Sequence, residues 1–329
     1  MKVAAALVSA AVLAPWMLGQ DTRPIVPADA KLETLFSDGV FTEGPAAAPD
    51  GTVYFSDITA SSKSREGGHI WRYDPRTKKV SVFRSPSGMA NGMAFDLQGR
   101  LIVAEGADFG GRRVTRTDMT TGKSERLAWQ YDGRALNSPN DVAVDARGRI
   151  YFTDPRYVGG ESIEQPVQGV YRIDTDGSVH RVVTDAGKPN GIAIAPDQKT
   201  LYVAANDNGA TGPLSEGMSA WQGRMAILAY DLAPEGTAKF RTQLVDFSTG
   251  GYADGLTVDR DGNIYCGCGP LGVRVYSPAG VEIATIPMPA EATNVEFGSG
   301  ADRGTLYVTA GRGLYRIRLL AEGFHPTDP

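Results

Sequence analysis

Apolar and polar residues alternate along most of this chain in short runs, each closed by a turn. AAAPDGTVYFSD from Ala46, MAFDLQGRLIVAE from Met93, VAVDARGRIYFTD from Val142, IAIAPDQKTLYVAA from Ile192, LTVDRDGNIYCGC from Leu256 and VEFGSGADRGTLYVTA from Val295 share one form: strand, turn, strand. A period of two marks half-buried strands, and Asp-Gly, Gln-Gly and Arg-Gly supply the positive φ that tight hairpins need. A second hairpin follows each of the first five: HIWRYDPRTKKVSVFRS from His69, RVTRTDMTTGKSERLA from Arg113, GVYRIDTDGSVHRVVT from Gly169, AILAYDLAPEGTAKFRTQLV from Ala226 and GVRVYSPAGVEIATIPM from Gly272. Four strands per unit is a propeller blade. The units recur at intervals of roughly 40 to 65 residues, and the longest carries a loop insertion.

The sixth unit has only GLYRIRLL after its first hairpin and so lacks an outermost strand. KLETLFS, from Lys31 to Ser37, alternates as a strand does but has no partner near it in sequence. Pairing it with Gly313 to Leu320 closes the ring between the chain's two ends and removes an open sheet edge. The expected fold is an all-β, six-bladed β-propeller with four antiparallel strands per blade, one domain over residues 31–325.

The ends of the chain and its composition narrow the class. Lys2, the apolar stretch Val3 to Leu13 and the region Ala14 to Gln20 have the form of a secretory signal over residues 1–20. The stretch is short for a bilayer span and Pro15 interrupts it, so a cleaved signal is favoured over stable membrane insertion. Asp21 to Ala30, with Pro24 and Pro27, reads as a linker, and the expected destination is secreted or periplasmic. A net charge of -5 without a basic run argues against a nucleic-acid partner. Cys266 and Cys268, two residues apart on a strand, are poorly placed for a bridge. His69, His180 and His325 are too scattered to complete a zinc site with them.

One oxygen-bearing side chain opens each blade: Glu43-Gly44, Asn91-Gly92, Asn140-Asp141, Asn190-Gly191, Asp254-Gly255 and Asn294-Val295. In a closed ring one repeated position meets itself at the axis. Two carboxylates and four amides are hard oxygen donors, the set that Ca²⁺ takes in large flexible shells; Mg²⁺ demands a tighter octahedron, and Mn²⁺ or Zn²⁺ are further alternatives. The plainer alternative is that Asn-Gly and Asp-Gly only start strands as turn residues. Against it, a channel of unpaired carboxylates is strained without a cation or a proton.

Strand direction puts the loops Ile58 to Gly68, Gly106 to Arg112, Pro155 to Gln168 and Asn206 to Met225 around the mouth on the same face. Asp57, Glu105 and Asp154 end the second strands and are expected to form an acidic rim, Asp154 as a contact for substrate hydroxyls or as a plain Asp-Pro turn. Trp221 in the longest loop either caps the pocket or packs that loop down. No Gly-x-Ser-x-Gly elbow is present. Gly110-Gly111 and Gly159-Gly160 lack the Lys-Ser or helix of a phosphate cradle.

Thr42-Glu43-Gly44-Pro45, Ser138-Pro139-Asn140-Asp141, Tyr151-Phe152-Thr153-Asp154-Pro155, Lys188-Pro189-Asn190-Gly191 and Ala253-Asp254-Gly255 together resemble the gluconolactonase, regucalcin (senescence marker protein) and lactonase-like calcium propellers, over about Lys31 to Leu320. The resemblance implies metal ligation by Glu43, Asn190 and Asp254, substrate contact by Asn140 with reach to the metal, and a general-base role for Asp254. It assigns nothing to Asn91 or Asn294, which read as strand-entry turns. It implies a hydrolase that opens a small-molecule sugar lactone, with Ca²⁺ polarising the carbonyl and Asp254 taking a proton from water. Metal ligation opposes that last role by lowering a carboxylate's basicity. The alternatives are a promiscuous lactonase or phosphotriesterase, and a non-catalytic propeller in which Ca²⁺ only plugs the channel.

Overall fold

In the computed structural model, which describes residues 24–59, 67–209 and 223–327, the alternating runs form six four-stranded antiparallel sheets. The first strands of the blades are Thr42–Ala47, Ala90–Phe95, Val142–Val144, Pro189–Ile194, Leu256–Val258 and Ala292–Phe297. Each touches the first strands of the blades on both sides, so the ring is closed and these strands line its axis. The expected β-propeller is the fold found.

Strand alternation distributes side chains to two neighbours rather than to a core and a solvent face. Tyr54 packs with Ala90, Met93 and Val103 of the second blade, whereas Val53 and Phe55 on the same strand pack with Tyr307 and Leu314 of the sixth. The same division holds around the ring, where every pair of adjacent blades encloses an apolar cluster. This explains why the second strands are wholly buried along their length. At the hairpin turns Gly51, Gly99, Gly148 and Gly262 take φ of 87°, 70°, 80° and 83°, as the turns require.

The ring closes as expected: Glu33–Phe36 pairs antiparallel with Gly313–Arg318, and Glu33 Oε2 lies 2.9 Å from Arg316 Nη2. The segment expected as a linker behaves differently where it is described. Ile25, Val26 and Ala30 pack onto the cluster between blades five and six, and Ile25 O accepts from Leu320 N at 3.0 Å. Its apolar residues find a groove that alternation alone does not reveal. The other end covers the far side of the channel, where Phe324, His325, Pro326 and Thr327 line the axial cavity. Between blades two and three lies an unforeseen hairpin, Gln130–Tyr131 with Arg134–Ala135. The expected signal over residues 1–20 lies outside the described residues. Among the described residues no helix is long and apolar enough to cross a membrane.

Candidate active site

Adjacent first strands converge so closely at the axis that the glycine after four of the six ring side chains, Glu43, Asn91, Asn190 and Asp254, has no room for a Cβ. One added to Gly44 would lie 2.1 Å from Asn91 O, to Gly92 2.1 Å from Asp141 Oδ1, and to Gly191 2.1 Å from Asp254 O. Of the strand-entry glycines only Gly44 has positive φ, at 38°. Gly92, Gly191 and Gly255 are glycine because the next blade presses on them, which corrects the interpretation of these pairs as turns. Backbone bonds cross at the same level: Gly92 N donates to Asn140 O at 2.6 Å and Gly191 N to Asp254 O at 3.2 Å. Hydroxyls add further ties between blades. Ser56 Oγ donates to Asn91 O at 2.8 Å, Thr153 Oγ1 to Asn190 O at 2.7 Å and Thr293 Oγ1 to Thr42 O at 2.8 Å.

This frame buries Glu43, Asn140, Asn190, Asp254 and Asn294 and leaves Asn91 half-buried. Glu43 and Asp254 come together, each held by an amide. The Asn294 side chain hydrogen-bonds Glu43, whose Oε2 also accepts from Gly44 N at 3.0 Å. The Asn190 side chain hydrogen-bonds Asp254. Burial pushes Glu43 up to about 7. Burial, and then the charges of Glu43 and Asp141, hold Asp254 well above the usual carboxylate range. Among the described residues no Lys or Arg forms an ion pair with either carboxylate.

Several neighbours were not singled out in the sequence. Asp141 reaches across the channel: its Oδ1 accepts from Val142 N at 2.9 Å and its Oδ2 from Ile192 N in the next blade at 3.2 Å. Burial pushes it up to about 8. Asn294 is more than a turn residue, since its Oδ1 accepts from Val295 N at 2.8 Å while its amide serves Glu43. Tyr157 and Tyr252 flank Asp254, and both phenols are raised first by burial and then by the Asp254 charge. Tyr157 lies in a mouth loop without periodic pattern, so only its nearness to Asp154 in sequence hinted at its position.

The acidic rim is corrected. Asp154 is fully buried, with Oδ2 accepting from Asn137 N and Oδ1 from Ser138 N, both at 2.8 Å. It holds the turn that leads into Asn140 and turns no oxygen to the mouth. Asp57 accepts from Val40 N and Phe41 N at 2.8 and 2.9 Å. Glu105 is engaged by Arg84, Arg113 and Thr115. A carboxylate at a strand end is cheapest to bury where loop N–H groups or guanidinium groups surround it, and that is the use made of all three. Trp221 lies outside the described residues. Cys266 and Cys268 are buried free thiols whose Sγ atoms are 3.2 Å apart.

Among the described residues no three His, Cys, Asp or Glu side chains cluster as a metal site. A divalent cation here would depend on a mixed set of two carboxylates and amide oxygens. The chemistry of the donors fits such an ion, because Glu43 and Asp254 are buried together with no ion pair to a basic side chain among the described residues, and the neutral amides of Asn294 and Asn190 hold them. Asp141 is already committed to backbone N–H groups and Asn294 to Val295 and Glu43. Glu43, Asn190 and Asp254 remain as donors, with Asn140 at the adjoining ring position.

The family model described as SMP-30/Gluconolactonase/LRE-like region matches residues 41–312, from just before Glu43 to just beyond the last ring position. The chain belongs to this family. It is 28% identical over 322 residues to a gluconolactonase of Zymomonas mobilis, covering 89% of this chain and 83% of that protein. Among solved structures, a gluconolactonase of Xanthomonas campestris aligns with a TM-score of 0.73 at 29% identity, covering 91% of this chain and 99% of the other. Regucalcin of Agrobacterium tumefaciens, a calcium-binding protein, aligns with a TM-score of 0.66 at 20% identity over 88% of this chain and 93% of its own, a likeness of fold.

Proposed function

We propose that this protein is a lactone hydrolase whose axis binds a divalent cation, Ca²⁺ in the first place, and that its substrate is a sugar lactone such as glucono-1,5-lactone. The observation that carries the proposal is the meeting of Glu43, Asn190 and Asp254 at one point of the ring, buried where among the described residues no Lys or Arg forms an ion pair with either carboxylate. The gluconolactonase relatives support the reaction class.

Glu43, Asn190 and Asp254 would hold the cation, and Asn140 borders it on the side of the third blade. When bound, such an ion supplies charge balance and polarisation of a carbonyl. Asp254, buried beside Glu43 at the ring position next to Asn190, is the group that takes the proton of the attacking water. Tyr157 and Tyr252 flank that carboxylate and narrow the access of bulk water. A small molecule enters from the face where the first strands begin. The apolar, Lys-led N-terminus accords with secretion or a periplasmic location, which N-terminal sequencing of the protein from fractionated cells checks.

The activity test is a pH-stat assay of purified protein with glucono-1,5-lactone and an aromatic phosphotriester. Lactone opening well above the spontaneous rate, with little phosphotriester turnover, is expected. A protein that binds Ca²⁺ but opens no lactone is instead a binding module.

A further inference from the structure

Asn190 has one oxygen that a cation accepts as ligand and one NH₂ group that it rejects, at opposite corners of the same amide. Which corner faces the axis depends on the neighbours. Asn190 hydrogen-bonds two groups, the Asp254 carboxylate and the Tyr157 phenol oxygen. A carboxylate only accepts. The phenol has a proton of its own, but that proton is directed to Asn206 O, at 3.0 Å. What Tyr157 offers Asn190 is therefore a lone pair.

The tyrosine is itself held. The Lys188 ammonium sits 4.7 Å from the centre of its ring and donates to Asn208 Oδ1 at 2.8 Å and Gly209 O at 2.5 Å. A cation over an aromatic face is attracted by the ring's electron density, the more so when shielded from water. Lys188 is almost wholly buried and enters the same strand as Asn190. One strand entry thus carries both the amide and the clamp that fixes the partner of that amide.

We propose that Tyr157, clamped by Lys188, is a positioning residue: by accepting from the Asn190 NH₂ group it leaves Asn190 Oδ1, rather than Nδ2, facing the cation position at the axis. This rests on the cation-binding proposal above. Asp254 alone is an insufficient guide for the amide, because its carboxylate is itself drawn to the cation. The phenol is neutral and tied to Asn206, so its preference is unchanged when the site fills.

The test is a calorimetric Ca²⁺ titration of chelator-stripped wild type, Tyr157→Phe, Asn190→Asp and the double variant, with urea unfolding of each stripped form. Phenylalanine keeps the ring over Lys188 and removes the hydroxyl, which is the acceptor for Asn190 and the donor to Asn206 O, a carbonyl that Asn208 N still satisfies at 3.1 Å. Tyr157→Phe is expected to weaken Ca²⁺ binding about 10- to 100-fold, the usual effect of losing a group that orients a metal ligand, with the stripped protein's urea midpoint little changed. In the Asn190→Asp background both corners are oxygen, so the same change should shift affinity less than about threefold, the coupling expected of residues acting through one contact. An equal loss in both backgrounds, or none in the first, overturns the proposal. A second readout needs no second mutation: the Asn190 side-chain amide protons should be protected from exchange in wild type and lose that protection in Tyr157→Phe, and unchanged protection also overturns it. A wild type that binds no Ca²⁺ brings down the cation proposal and this one together, whereas wild-type binding unaffected by Tyr157→Phe brings down this one alone.

Discussion

Glu43→Gln should make the cation-free protein more stable while removing its capacity to bind the ion. Burial raises this carboxyl from 4.5 to about 7 in the folded chain. A raised folded-state value means that ionising the group opposes folding: the penalty is absent below the unfolded value, grows between the two and is complete above about pH 7. At 1.36 kcal/mol per unit, the shift corresponds to roughly 3 kcal/mol. Glutamine keeps an acceptor oxygen for Gly44 N while its charge is removed. Asp254 is relieved in the same step, since the Glu43 charge contributes to its raised value. In chelator, urea unfolding should show Glu43→Gln more stable than wild type by about 2 to 3 kcal/mol near pH 8 and by almost nothing near pH 4.5, with an unchanged slope. A variant that is less stable near pH 8, or that gains equally at both values, refutes the electrostatic account of the ring.

Three further outcomes follow from the same structure. Glu43 and Asp254 must be ionised to act as ligands, and both are raised, Glu43 to about 7, so Ca²⁺ affinity measured by calorimetry should rise as pH increases through about 7; a flat profile from about pH 5.5 to 8 contradicts this. Gly92→Ala forces a Cβ to within 2.1 Å of Asp141 Oδ1 and should cost about 1 to 3 kcal/mol or more in urea unfolding, whereas Gly160→Ala, with nothing near its would-be Cβ, should be neutral. Asp154→Asn leaves a backbone N–H facing an NH₂ group and should lower stability by about 1 to 3 kcal/mol. An unchanged melting temperature with a raised KM for lactone would restore a substrate-contact role.

The fold was legible because a propeller repeats its own evidence. Turn glycines at Gly51, Gly99, Gly148 and Gly262 have one local cause, and the strand Glu33–Phe36, without a partner near it in sequence, is the one the incomplete sixth blade needs. The site was legible only in part. Glu43, Asn190 and Asp254 stand at a repeated position, so their convergence follows once the ring closes. The strand-entry glycines carried a packing constraint that looks like turn chemistry in one dimension, because the blade that presses on Gly191 contributes Asp254, far away in sequence. Asp154 misled for a related reason: strand direction gives the end of the sheet on which a residue lies, but not whether incoming loop N–H groups have already claimed it. The roles of Tyr157 and Lys188 were not legible, since they depend on a contact between a loop and the next blade's strand entry.

The central claim is that lactone opening depends on a cation held at the axis by Glu43, Asn190 and Asp254. The most direct measurement is the rate of glucono-1,5-lactone hydrolysis by purified protein before chelation, after complete metal removal, and after Ca²⁺ is restored. The rate should fall to the spontaneous background on stripping and return with Ca²⁺ in wild type, but not in Glu43→Gln. Hydrolysis that survives complete metal removal would contradict the account.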